Sequence, residues 1–153
     1  MSAMASPEAL VRRAAYTEHM QRDVGIDEAM IATLVHGFYD GVRADPVLGP
    51  IFAARIDDWG PHLGRMVDFW SSVMLMTGRY HGQPMPRHTP LPIDAAHFDR
   101  WLALFEDAAR RLCPPAAAEA FLFKARRIAE SLELGVAMQA GVLLSRGERY
   151  RKD

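Results

Sequence analysis

Cysteine is almost missing from this chain: Cys113 stands alone among 153 residues, so no internal disulfide can form. Only Arg110 and Arg111 lie near it as basic neighbours, too little to mark a reactive thiol. Neither sign of charge prevails. With 18 basic against 19 acidic side chains and a net charge of −1, there is no electrostatic footprint for nucleic acid or anionic lipid. Long apolar runs are missing too, since the longest uncharged stretch, Leu134 to Ser145, is too short to cross a bilayer. The opening residues, Met1 to Pro7, lack the charged start and apolar run of a secretory signal. There is no P-loop, no glycine-rich dinucleotide turn, no Cys-x-x-Cys and no evident nucleophile–base pair. No segment shows the strict alternation of a half-buried strand, and no internal repeat is visible. These absences fit a cytoplasmic, reduced setting and exclude a disulfide scaffold or a nucleotide-binding α/β domain.

What is present is helical periodicity. Half the residues are apolar and 24% charged, the mix of a one-domain globule. A leading helix is predicted from Pro7 to roughly Arg22, with Leu10, Val11, Ala14, Ala15 and Met20 apolar, broken at Gly25. Asp27 is placed to cap the next helix, whose repeat is Met30, Ile31, Leu34, Val35, Phe38, Tyr39 and Val42. That helix stops at Asp45-Pro46. Leu48 to Phe52 reads as a tight turn with one helical turn after it. Asp57 or Asp58 caps a further helix with the inner stripe His62, Met66, Phe69, Trp70 and Val73, closing near Gly78. Prolines 84, 86, 90 and 92 leave room for at most a short helix ending near His88. Ile93-Asp94 opens another helix, with Phe98, Trp101, Leu102, Phe105 and Leu112 inward, ended by Pro114-Pro115. A last helix from about Ala116 buries Phe121 or Leu122, Ala125, Ile128, Leu132 and Val136, and the tail from Glu148 is expected to fray. The fold class is all-α, with antiparallel helix pairs around a central slot.

Of the six histidines, His19 and His36 read as ordinary surface or half-buried residues, and His97 as a helix cap or a solvent-facing residue. His88 differs because prolines on both sides stiffen its backbone, the condition under which an imidazole can be held fixed for a haem iron. The bland alternative, a proline-rich surface loop with an incidental histidine, is the commoner outcome of that local pattern alone. His62 sits at the end of a core stripe, and Arg65 lies one turn along, within reach of a haem propionate or solvent. Tyr39 and Trp101 are large core residues that also carry an O–H and an N–H donor. A rival set, His88, Asp94 and His97, has the composition of a non-haem metal site, but the helix start between them argues against a shared focus.

The strings Phe38-Tyr39, Val42 to Phe52, Trp59-Gly60-Pro61-His62, Phe69-Trp70, Gly78 to Pro84, His88 and Phe98 to Phe105 together resemble the truncated haemoglobins of group III. The likeness spans roughly residues 26 to 140, and its motifs are specific collectively rather than singly. None of the 11 glycines is adjacent to another, as in group III and unlike the paired glycines usual in groups I and II. The resemblance implies a two-over-two helical sandwich around haem b (iron protoporphyrin IX), in three parts: an N-terminal helical extension over 1–25, a truncated globin domain over 26–145 and a charged tail over 146–153.

Carried over by position, His88 matches the proximal iron ligand, His62 the distal gate histidine, Tyr39 the distal tyrosine and Trp101 the distal tryptophan. Phe38, Met66 and Trp70 match apolar pocket positions, although an aliphatic residue often stands where Met66 does. The length of the leading helix and the basic tail lie outside the match. Dioxygen, nitric oxide and similar diatomic ligands are the implied partners, with a reductase to supply electrons and no nucleic acid or membrane. A bound diatomic ligand with partial negative charge is stabilised by nearby O–H and N–H donors, each worth about 1.5–3 kcal/mol. Tyr39 and Trp101 together would therefore slow oxygen release and favour chemistry on the ligand, such as nitric-oxide dioxygenation or peroxidase-like turnover, over delivery. Two other readings stand beside this one: a non-haem metal enzyme on the same histidines, and a cofactor-free helical interaction module whose aromatics are only core.

Overall fold

The computed structural model describes residues 5–88 and 91–152; the first four residues of the extension, Thr89 and Pro90 of the proline-rich stretch, and the last residue of the tail lie outside them. Helix α1 (Pro7–Glu18) starts where the Ser6 hydroxyl accepts from the Ala9 N–H at 3.1 Å and Pro7 fills the first helical position. It continues through a π-helical segment (His19–Val24) to Gly25, whose φ of 83° closes the helix in the left-handed region that glycine adopts freely. None of the residues of α1 is buried, and Leu10 and Val11 face solvent, whereas Met20 of the π-helical segment packs against the core. Helix α1 is tethered by Thr17, whose hydroxyl donates to the Leu75 carbonyl at 2.7 Å.

Helix α2 (Glu28–Ala44) begins as expected at Asp27, whose carboxylate accepts from the Met30 N–H at 2.8 Å, and it buries Ile31, Leu34, Val35, Phe38, Tyr39 and Val42. The tight turn expected with a helical turn after it lies earlier than Leu48, at Pro46-Val47, and the helical part occupies Leu48 onward as α3 (Leu48–Ala53). Asp45 accounts for the difference. Its Oδ2 accepts from the Val47 and Leu48 N–H groups at 3.1 and 2.8 Å, supplying the cap that the local sequence lacks. Helix α4 (Trp59–Leu75) is capped by Asp58 and carries Pro61 in its first turn. It closes at Leu75, short of Gly78, because Met76 takes the left-handed conformation (φ 54°) and donates its N–H to the Ser72 carbonyl.

The short helix α5 (Pro84–His88) is the one proline spacing allows. Helix α6 (Ala95–Leu112) opens on a reciprocal cap: Asp94 accepts from the first turn while the Asp94 N–H donates to His97 Nδ1 at 3.0 Å, so His97 is a cap. Helix α7 (Pro115–Gln139) completes the chain's regular structure. Helices α2 and α4 pack as one pair and α6 and α7 as the other, with α2 lying across α6. This is a two-over-two helical sandwich, and no strand is found among the described residues.

The main core runs from Ile31, Leu34 and Phe38 of α2 through Met74 of α4 and Phe105 of α6 to Phe121 and Leu122 of α7. A smaller cluster joins Ile93, Phe98, Ala129, Val136, Ala137 and Tyr150. Tyr150 belongs to the tail expected to fray, and the tail is docked instead. Its Arg149 forms ion pairs with Glu133 and Asp99, and the Ala95 N–H donates to the Tyr150 carbonyl at 2.7 Å. Neither partner is adjacent in sequence, which is why a charged C-terminus looked free.

Candidate functional site

The pairs of helices do not close on each other completely. Between them lies a cavity of about 850 Å3, lined by residues of α2, α3, α4, α5, α6 and α7 and of the segments leading into α4, α5 and α6. Its size is in the range of small-molecule and cofactor sites.

His88 enters the wall from the last position of α5. Its Nδ1 lies 2.7 Å from the Pro84 carbonyl oxygen. A carbonyl only accepts, so Nδ1 carries the proton and Nε2 of the neutral ring carries the lone pair. The arrangement fixes the tautomer a metal-ligating imidazole needs. Helix α5 is itself seated by Met85, whose thioether lies where a Cβ at position 135 of α7 would stand; only glycine there leaves the space.

At the cavity wall, α2 and α4 bring Tyr39 and His62 together with Trp59 behind them, the His62 ring edge-on to both others and the Tyr39 and Trp59 rings tilted at 59°. Tyr39 and His62 have ring centres 5.2 Å apart at 87°, and Trp59 and His62 lie 5.5 Å apart at the same angle. Arg43 covers the outer side of Trp59, 4.6 Å from the ring centre. Tyr39 is buried, and burial raises its phenol pKa far above the ordinary value, so the hydroxyl stays protonated at any physiological pH. Trp101 of α6 stacks on Phe105, which stacks in turn on Trp70 of α4, an aromatic ladder whose two ends line the cavity and whose middle ring lies in the core. The segment between α4 and α5 is held by polar bonds. The Ser71 hydroxyl donates to Glu28, Glu28 pairs with Arg79 at 2.8 Å, and the Tyr80 N–H donates to the Ser72 hydroxyl at 3.0 Å.

The bacterial-like globin family model matches residues 20–129. Over 88 residues the chain is 39% identical to the group 3 truncated hemoglobin ctb of Campylobacter jejuni, covering 54% of this chain and 69% of that protein. This chain is a group III truncated globin of the bacterial-like family. The crystal structure of the group III truncated hemoglobin from Campylobacter jejuni superposes on it with a TM-score of 0.68 at 34% identity, covering 71% of this chain and 89% of the other. The group 2 truncated hemoglobin YjbI of Bacillus subtilis is 31% identical over 85 residues, 54% of this chain and 64% of that protein. Membership brings with it globin-type binding of small ligands, and no helix among the described residues is long and apolar enough to cross a membrane.

In this globin, seven of the eight residues singled out from sequence meet at one cavity: Tyr39, His62, Arg65, Met66, Trp70, His88 and Trp101 all line it. Phe38 does not line it. It stands a layer behind, edge-on to Trp101 at 5.4 Å, and supports the wall from the core. The rival trio is not assembled: among the described residues no group of three His, Cys, Asp or Glu side chains is placed to hold a metal ion, and His97 Nδ1 is engaged by Asp94.

Several wall residues had no assigned role in sequence. Arg55, Arg79 and His81 add basic groups to the cavity besides Arg65, and His97 lines it as well as capping α6. Arg79 and His81 stood in a string that marked the family without indicating a task. Trp59, likewise without a task in the sequence reading, does not line the cavity but packs edge-on against His62, which does.

Proposed function

We propose that this truncated globin holds haem b in the cavity and binds dioxygen, nitric oxide and related diatomic ligands there. The observation that carries the reading is the imidazole of His88, its Nδ1 proton held by the Pro84 carbonyl, sharing one cavity with the buried hydroxyl of Tyr39 and the indole of Trp101. The residues present suit such a group: apolar walls from Met66, Phe69 and Trp70, a nitrogen ligand, and basic side chains including Arg65 for the propionates. Haem would supply a coordination site for diatomic molecules and an exchangeable electron.

The chain supplies the rest. Pro84 orients His88 and strengthens its basicity by accepting the Nδ1 proton. Tyr39 and Trp101 offer O–H and N–H donors to a ligand that gathers negative charge, and the low-dielectric setting raises what those bonds contribute. His62, braced between Tyr39 and Trp59, stands where α4 meets the cavity and serves as the gate. Two donors favour retention over release, so the role we assign is chemistry on, or capture of, the bound gas, with nitric-oxide dioxygenation and peroxidase-like turnover as the reactions to assay and a separate reductase as electron source.

Purified protein expressed with ample haem supply should show a strong Soret band, and His88→Ala should abolish or shift it. A folded wild-type protein that emerges without porphyrin would overturn the proposal.

A further inference from the structure

Glu133 is a charged side chain on a buried face of α7, only 5% exposed. A carboxylate in that position is costly unless it is paired and hydrogen-bonded. The groups recorded as satisfying it belong to residues 149 and 150. Arg149 donates from Nε at 3.0 and 3.2 Å and from Nη2 at 2.8 Å, and the Tyr150 N–H donates at 3.0 Å. The same guanidinium reaches Asp99 of α6 at 2.7 Å and the Ala95 carbonyl at 3.3 Å, while the Lys152 N–H donates to Asp94 Oδ2 at 3.0 Å. Tyr150 is itself buried against Ile93 and Phe98, and both of those line the cavity. Ile93 connects backward by short steps, its N–H donating to the Leu91 carbonyl and the Leu91 N–H to the carbonyl of His88.

We infer that residues 149–152 are a C-terminal clamp, with Arg149 and Tyr150 as positioning residues that set where the His88 segment sits by holding the start of α6 against α7. The described residues before α6, 91–94, form no helix, so their rigidity comes from what packs on them. The clamp supplies that packing from outside the region matched by the family model, which ends at residue 129. The consequence for an iron-bound imidazole rests on the haem reading above, whereas the clamp itself does not.

Amide hydrogen exchange of the haem-free full chain tests the clamp directly, using Arg149→Ala, Arg149→Lys and the double variant Glu133→Leu/Arg149→Ala. In Arg149→Ala, the Leu91 and Ile93 amides should exchange faster by about tenfold, the scale of one lost charge-assisted hydrogen bond, with α2 and α4 unchanged. Arg149→Lys should recover part of the protection. The double variant removes the stranded carboxylate and restores thermal stability, yet Leu91 and Ile93 should stay fast, which separates positioning from general stability. Unchanged exchange at Leu91 and Ile93 in Arg149→Ala, or full recovery in the double variant, overturns the clamp. In haem-loaded protein, Arg149→Ala should also shift the iron–imidazole stretching band and speed haem loss to excess apomyoglobin. If the wild type takes up no haem, the proposed function fails while the exchange measurement still decides the clamp.

Discussion

At the scale of single residues, the site depends on which protons are available and where. Burial keeps the Tyr39 phenol protonated, and the carbonyl of Pro84 keeps the proton of His88 on Nδ1. The first makes a donor, the second an electron-pair ligand. Tyr39→Phe and Trp101→Phe should each raise the oxygen dissociation rate of haem-loaded protein by about tenfold, the value of one hydrogen bond to a charged acceptor. Stopped-flow kinetics measures this, and equal rates in the wild type and both variants would remove these donors from the mechanism. Phe38 shows the limit of assigning roles by position: its neighbour Tyr39 lines the cavity while Phe38 itself faces Trp101 and Phe105 behind the wall. A helical repeat identifies the buried face but not which buried residue meets empty space.

At the scale of elements, the ends of helices decide more than their middles. Asp27 caps a helix as expected, Asp58 proves to be the cap of the two candidates before α4, and Asp94 caps the helix expected to open there, because a cap is a local bond between near neighbours. The left-handed end at Gly25 falls where expected, while α4 closes three residues short of Gly78. Met76 closes α4 in the left-handed region, where a side chain with a Cβ is strained by about 1–2 kcal/mol. Met76→Gly should therefore stabilise the protein by about 0.5–1 kcal/mol, after allowing for the greater freedom of glycine in the unfolded chain. Met76 is 39% exposed, so the packing lost with its side chain is partial and holds the gain to the lower end of that range; urea unfolding would expose the opposite sign if this account is wrong. The same reasoning explains α3, where the cap comes from Asp45 in the preceding turn.

At the scale of the whole molecule, Asp45 has a second task. Besides capping α3 it binds Arg100 of α6 at 2.7 Å, so it joins the two helix pairs beside the cavity. The Arg100 guanidinium, together with the backbone N–H groups of Leu48 and Val47, lowers the Asp45 carboxyl from 3.8 to about 2 despite its burial. The unfolded chain thus binds this proton more readily than the folded one. The stabilisation is complete above the unfolded value and lost as pH falls through about 2. Asp45→Ala should cost about 1–2 kcal/mol at pH 7, a cap's worth, since the half-exposed arginine adds little. Its unfolding free energy should also fall less steeply between pH 5 and 2 than that of the wild type. Parallel curves in urea titrations across that range would contradict this role.

What the sequence alone determined was everything carried by near neighbours: helix periodicity, most caps, the proline-bounded helix under His88 and the motifs that mark a truncated globin. Tertiary structure decided the rest. It left the apolar residues of α1 uncovered, drew the charged tail down onto a buried Glu133, and set Phe38 behind the wall rather than on it. Those outcomes depend on partners 16 or more residues away, and local spacing holds no record of which separate surfaces will meet.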